Sequence, residues 1–279
     1  MRSADLRIDT MVAVGGARRP ATGSSVRLRV LPEAALVVGL WLFYNAGRFL
    51  AARHTGRAYA HAATVWHLER RLSLPDEMKD QHLLLRHGLV TIRLADDYYR
   101  WIHLPLTIVV LIALFRFRPA TYLWVRTAMA YATAAALIIH ITYPVAPPRM
   151  LPQLGFVDTG LRFGQSAYGP RGHDHLANEF AAMPSLHVGW TVLLAVAIVV
   201  TLRTPWRWLV VIHPIMTTLV VVVTANHFWL DGIAGAALAL AGLALARRPA
   251  EPGTSSGSRV LDSASQQAGG CPGRAARRR

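Results

Sequence analysis

Ala225-Asn-His-Phe-Trp-Leu-Asp-Gly232 stands at the seam between two apolar runs, residues 206–225 and 228–246. Crossing a hydrocarbon core of about 30 Å takes about 20 helical residues, and both runs are close to that length. A second segment, Met183-Pro-Ser-Leu-His-Val-Gly-Trp190, opens another such run at residues 184–202. Two histidines and a carboxylate (His187, His227 and Asp231) therefore sit at the mouths of apolar helices. Ionisable groups beside hydrocarbon are costly, so they mark a functional site by default.

Working outward, three more runs have spanning length: residues 33–52, 98–115 and 122–143. The expectation is an all-α integral membrane protein, a bundle of six transmembrane helices. A basic tail at residues 1–30 and a Ser/Gly/Ala/Arg-rich tail at 249–279 flank a membrane domain at 31–248, and both tails read as disordered. The run after Pro32 reads as an uncleaved anchor, because no convincing small-residue cleavage site follows it. Six tryptophans, at 101, 124, 190, 206, 208 and 229, fall near helix ends, where amphipathic rings favour the headgroup level.

The composition agrees. The chain of 279 residues is 53% hydrophobic and carries a formal charge of +15, with Lys79 its only lysine. Much of the arginine lies in tails and short loops: Arg2 to Arg29, Arg116 and Arg118, Arg203 and Arg207, and Arg247 onward. An even number of spans puts all of these on the cytoplasmic side together, with both termini, as the positive-inside tendency requires. That distribution argues against a nucleic-acid partner, which would need a concentrated basic face. The first loop, residues 53–97, carries arginines on the opposite side, nearly balanced by Glu69, Asp76, Glu77, Asp80, Asp96 and Asp97. Within it, residues 60–74 read as an amphipathic interfacial helix with Val65, Leu68 and Leu72 on one face. Cys271 is the only cysteine, so no disulfide scaffold exists.

This topology gathers the loop 144–182 and the turn 225–228 on the outer face, with all the chemically suggestive residues. His227 and Asp231 are four apart and would share a face of a continuous helix. The carboxylate could accept a hydrogen bond from one ring nitrogen and leave the other as a free lone pair. Pro184 and Ser185 suit the first turn of a helix, whose free N–H groups favour an anion. One turn in, His187 could protonate a leaving oxygen. After Tyr143-Pro-Val-Ala-Pro-Pro, Arg149 presents a guanidinium suited to phosphate oxygens, with Arg171 a further candidate in the same loop. Taken singly, each piece also has a plain structural reading, as a cap or an i,i+4 polar pair.

The ordered set Pro-Pro-Arg149, Met183-Pro-Ser-Leu-His187-Val and Asn226-His-Phe-Trp-Leu-Asp231-Gly resembles the type-2 phosphatidic acid phosphatase superfamily, and most of all its branch related to inositolphosphorylceramide synthases. The resemblance implies that His227 attacks phosphorus, Asp231 orients it and His187 protonates the departing oxygen. It further implies that Ser185 and Arg149 hold phosphoryl oxygens, that the substrate is a lipid phosphate or diphosphate in the bilayer, and that no metal or other cofactor is needed. Water as acceptor makes a phosphatase; an alcohol such as inositol makes a transferase. The chain departs from the superfamily pattern in three places. It lacks the first-motif lysine, Val221 stands where the third motif has arginine, and Leu186 stands where the second has glycine. Phosphate binding then rests on Arg149, helix-end amides and Arg171.

Two other classes compete. A transporter would place charged or helix-breaking residues near the bilayer midplane, whereas here they cluster at one end of the spans. A metal-dependent hydrolase would use His187, His227 and Asp231 as ligands. His173-Asp174-His175 lacks the usual metal-ligand spacing; His140 and His213 read as packed or pore-facing residues without chemistry, and His103 belongs to the border of the first loop.

Overall fold

A computed structural model describes residues 31–36, 38, 39, 42, 55–163 and 180–247. The tails, most of the expected first span at 33–52, Arg171 and His173 to His175 lie outside the described residues. The chain divides into two units, Met1–Tyr44 and Asn45–Arg279. In the first, the described residues from 31 to 42 are helical.

The second unit is helical throughout, with no strand among the described residues. Its helices are α1 (Thr55–Arg71), α2 (Glu77–Arg86), α3 (Leu89–Phe117), α4 (Pro119–Thr142), α5 (Leu186–Thr201), α6 (Pro205–Val223) and α7 (Trp229–Leu245). α3 contains a π-helical turn at Tyr98–Ile102, and α6 starts as a 3₁₀ helix over Pro205–Val211. Three helices, α3, α4 and α6, are long and apolar enough to cross a membrane. α5 and α7 are apolar but shorter, at 16 and 17 residues, or about 24–26 Å at 1.5 Å per residue. Five of the six expected runs are thus helices. The second is longer than the sequence suggests, because α3 starts at Leu89 and draws Asp96 and Asp97 into it.

Chain chemistry explains the boundaries. Pro119 occupies the first turn of α4, where its missing N–H costs nothing. Asp76 caps α2 by accepting from the N–H groups of Met78 and Lys79, and Ser185 caps α5 by accepting from that of Val188. Pro144, Pro147 and Pro148 prevent α4 from continuing, and the chain leaves it through short 3₁₀ turns at Pro148–Met150 and Pro152–Leu154.

α7 is the hub, packing against both α4 and α5. Small residues let these backbones meet. A Cβ on Gly235 would lie 2.0 Å from the Ser185 carbonyl oxygen, and one on Gly242 would lie 2.6 Å from that of Ala128. Such close approach is how helices associate where hydrocarbon surrounds them and burial of apolar surface adds little. The bundle interior is filled by Leu114, Trp124, Val125, Leu193 and Leu243, with the Trp124 indole N–H donating to the Leu243 carbonyl at 3.1 Å. Leu104, Ile108, Val109 and Ile112 of α3 remain exposed, an apolar face suited to lipid.

α1 forms over much of the expected stretch, and of the three apolar residues singled out in sequence only Val65 packs inside the protein. Ala58, Ala62, Val65 and Glu69 face inward, while Leu68 is 44% exposed and Leu72 is 56% exposed. The inward stripe is made of small residues because α1 lies close to the loop after α4: the Ala146 N–H donates to the Ala58 carbonyl at 3.1 Å.

Candidate active site

Backbone hydrogen bonds gather the distant motifs. The segment leaving α4 runs beside the segment entering α5, with the Val145 N–H bonded to the Phe180 carbonyl and the Ala182 N–H to the Val145 carbonyl. The Arg149 N–H donates to the Ala225 carbonyl at 2.8 Å, tying this loop to the turn after α6. The Ser185 N–H donates to the Asp231 carbonyl at 2.8 Å, tying the start of α5 to the first turn of α7. Three elements far apart in sequence are fixed to one another by main chain, which holds geometry more tightly than mobile side chains could.

His227 lies just before α7 and is 5% exposed. Its Nδ1 is 2.8 Å from the Ala182 carbonyl oxygen and 3.5 Å from Asp231 Oδ2. A carbonyl can only accept, so Nδ1 carries the proton and Nε2 is left with its lone pair. The expected His227–Asp231 pairing is present, but it does not arise from a shared helical face. His227 precedes the helix, and Asp231, in the first turn, reaches back to accept the Phe228 N–H at 2.8 Å. The carboxylate therefore caps α7 and steadies the imidazole with the same oxygen. The turn that delivers His227 is tight: Ala225, wholly buried, takes a left-handed φ of 54°, at a cost of about 1–2 kcal/mol for a residue with a Cβ.

His187, in the first turn of α5, faces His227 with ring centroids 5.7 Å apart. Its other neighbours are Tyr99 at 4.8 Å and His103 at 5.0 Å, both from α3. His103 is 5% exposed and also stands 6.3 Å from His213, which meets the Tyr98 hydroxyl at 2.7 Å. Read in the sequence only as bordering the first loop, His103 is buried and packs directly on His187. His140 donates from Nε2 to the Pro184 carbonyl at 3.2 Å and so holds the entrance to α5.

Arg149 is 7% exposed. Its Nη1 donates to Asn226 Oδ1 at 2.6 Å, and its Nε lies 3.9 Å from Asp158 Oδ2. Asn226 is fixed in turn by donating to Thr224 Oγ1 at 2.8 Å. The guanidinium is thereby held against the residue preceding His227, a placement suited to an anion bound there. Ser185 is wholly buried; its Oγ accepts the Val188 N–H at 3.4 Å, which leaves its hydroxyl proton free to donate. Arg171 lies outside the described residues. Among those described, no group of three or more His, Cys, Asp or Glu is placed to hold a metal ion.

Sequence reasoning missed Asn226 as the anchor of Arg149, Tyr99 and His103 as neighbours of His187, and the acidic residues of the first loop. Glu69 and Glu77 are both wholly buried, and Glu69 Oε1 accepts the Leu230 N–H at 2.6 Å. No local signal distinguishes them from exposed acids balancing Arg70 and Arg71.

Beside the histidines an apolar cleft of about 350 Å³ lies among α5, α6 and α7, lined by Val188, Val192, Leu219, Trp229 and Ile233. Val188 follows His187, and Gly232, also on the lining, follows Asp231.

No curated protein is significantly similar to the chain, and no solved structure matches it significantly. Residues 63–245 match the family model of the PAP2 superfamily, and that span contains Arg149, Ser185, His187, His227 and Asp231. With well over half of its length matched, the chain belongs to the PAP2 superfamily, whose members are generally phosphatases and phosphotransferases.

Proposed function

We propose that the protein transfers the phosphoryl group of a lipid phosphate or diphosphate through a phosphohistidine on His227, at the outer face of a six-span bundle whose termini are both cytoplasmic. One observation carries this reading above the others: the Nδ1 proton of His227 is held by the Ala182 carbonyl and Asp231, which leaves Nε2 its lone pair in a ring 5.7 Å from that of a second histidine. A histidine oriented through one nitrogen is a nucleophile at the other.

In the first step Nε2 of His227 bonds to phosphorus as the bond to the leaving oxygen breaks, and His187 gives that oxygen its proton. In the second, His187 takes the proton of an incoming hydroxyl whose oxygen attacks phosphorus, and His227 is released. As Nε2 gives up its lone pair the imidazole gains positive charge, which Asp231 stabilises. Arg149 neutralises the phosphoryl oxygens, aided by the Ser185 hydroxyl, the N–H groups at the start of α5 and Arg171. The cleft beside the histidines is lined by apolar side chains, as a lipid substrate requires. Leu186 and Val221, in place of the superfamily's glycine and arginine, favour the transferase branch with an alcohol such as inositol as acceptor.

The test is phosphate release by the detergent-purified protein from phosphatidate, polyprenyl phosphates and polyprenyl diphosphates, with and without myo-inositol. His227→Ala abolishes both hydrolysis and transfer, and EDTA leaves the wild-type rate unchanged. Full activity in His227→Ala defeats the mechanism; loss of activity in EDTA favours a metal-dependent hydrolase instead.

A further inference from the structure

The turn joining α1 to α2 brings three carboxyl groups onto the first turn of α7, the turn that carries Asp231. Glu69 Oε1 accepts the Leu230 N–H at 2.6 Å. The Glu69 and Glu77 carboxyl groups are close enough to share a hydrogen bond, which would require a proton on one of them. Glu69 Oε2 and Glu77 Oε1 have no N–H or hydroxyl partner, so they are the two oxygens that this proton satisfies. Arg70 donates to Glu77 Oε2 at 2.9 Å. Burial raises the Glu69 carboxyl, and the shared proton is assigned to it on that ground. Asp80 completes the group beside the Trp229 side chain.

We propose that Glu69 is a positioning residue of the phosphoryl-transfer centre: it clamps the first turn of α7 to the first-loop hairpin and so fixes Asp231 and His227. This role presupposes a nucleophilic His227. Glu69 bonds the N–H one residue before Asp231, whose oxygens hold Phe228 and the His227 ring. A wholly buried contact there transmits any shift directly to the imidazole. The charged and titratable groups around Glu69 are Glu77, Asp80 and Arg70 from the hairpin and Asp231 with His227 from the α7 side. Burial, the Glu77 hydrogen bond, and the negative charges of Glu77 and Asp231 push the Glu69 carboxyl up to about 9, against a smaller opposing pull from the Leu230 N–H. Ionised, Glu69 would repel Glu77 across the shared position and loosen the clamp, so activity should fall above that pH.

The experiment compares wild type, Glu69→Gln, Glu69→Ala, Glu77→Gln and His227→Ala, each checked for folding by gel filtration in detergent. Phosphate release from dioctanoyl phosphatidate is followed across pH, together with the tautomer of His227 by nitrogen-15 spectra of histidine-labelled protein. Glutamine reproduces a protonated glutamate, accepting from Leu230 and donating to Glu77. Glu69→Gln should therefore keep kcat within about threefold and lose the alkaline fall. Glu69→Ala should lower kcat by about 10²-fold, the usual consequence of a misplacement near 1 Å, with KM little changed and the single Nδ1–H tautomer lost. Glu77→Gln should move the alkaline fall to lower pH. Wild-type kcat and tautomer in Glu69→Ala overturn the proposal, and so does an inactive Glu69→Gln, which would make Glu69 a proton carrier. If Glu69→Ala does not fold, the Glu69→Gln and Glu77→Gln pH profiles decide. An active His227→Ala instead defeats the nucleophile assignment, and the tautomer readout then reports on the clamp without any turnover.

Discussion

Gly235→Ala should separate the two halves of the active centre. A Cβ at this position would lie 2.0 Å from the carbonyl oxygen of Ser185 and 2.9 Å from its carbonyl carbon. Real Cβ atoms essentially never come within 3.0 Å of a neighbour, so the backbones of α5 and α7 must part by about 1 Å, and neither can yield by rotating a side chain. Helix propensity works the other way, since alanine is favoured over glycine by about 1 kcal/mol in a helix interior. Overpacking costs typically about 1–3 kcal/mol and should win, because the clash is with backbone. The displaced element is the one bearing His187, and the bond at risk is Ser185 N–H to the Asp231 carbonyl. A shift of this size lowers turnover by about 10²-fold. Gly232→Ala is the internal control: its Cβ would meet side-chain methyls of Val188 and Thr218 at 3.6 and 3.7 Å, ordinary contact distances. Phosphate release and the thermal midpoint in detergent, measured on both variants, check the prediction. Gly235→Ala within twofold of wild type in turnover, or Gly232→Ala the more damaged of the two, would refute the reasoning.

Other substitutions probe the remaining parts. Arg149→Lys cannot keep both the Asn226 bond and the fork presented to phosphate, so kcat/KM should drop about 10–100-fold, from hydrogen bonds to charged groups of about 1.5–3 kcal/mol; an unchanged value in steady-state kinetics removes Arg149 from the phosphate site. Asp231→Asn preserves shape but removes the charge that stabilises the His227 imidazolium, and should lower kcat by about 10²- to 10⁴-fold; kcat within threefold of wild type would show that the Ala182 carbonyl alone suffices. Glu69 also makes stability depend on pH. Its carboxyl is raised in the folded protein from an ordinary 4.5 to about 9, so its stabilising contribution is complete below the ordinary value and is lost as pH rises through the folded one. The thermal midpoint of wild type should accordingly fall relative to Glu69→Gln between about pH 5 and 9, and parallel curves across that range would contradict a buried neutral Glu69.

How much of this was legible in sequence depends on the distance over which each contact acts. His187, His227 and Asp231 stand out because polar residues at the mouths of apolar runs are rare, and five of those runs are helices with their ends near the expected places. Ser185 as a helix cap is equally local. The His227–Asp231 pairing was legible, but its geometry was not, since the four-residue spacing suits a continuous helix while the histidine lies before α7. Glu69 was illegible for a plainer reason. Its burial depends on Leu230, 161 residues away, and beside Arg70 and Arg71 it looks like any balanced surface acid. The same applies to Asn226 beneath Arg149, 77 residues apart, and to His103 against His187. The inward stripe of α1 was illegible because close backbone approach, not apolarity, selected Ala58 and Ala62, while Leu68 and Leu72 stay exposed.

The covalent intermediate tests the central claim most directly. The purified protein is mixed briefly with a phosphorus-32-labelled lipid phosphate, quenched in alkali, and digested for mass spectrometry. The account predicts a base-stable, acid-labile phosphoryl group on His227, absent from His227→Ala and formed more slowly in His187→Ala, which lacks the acid for the leaving oxygen. Turnover with label on no residue, or on a residue other than His227, would contradict it.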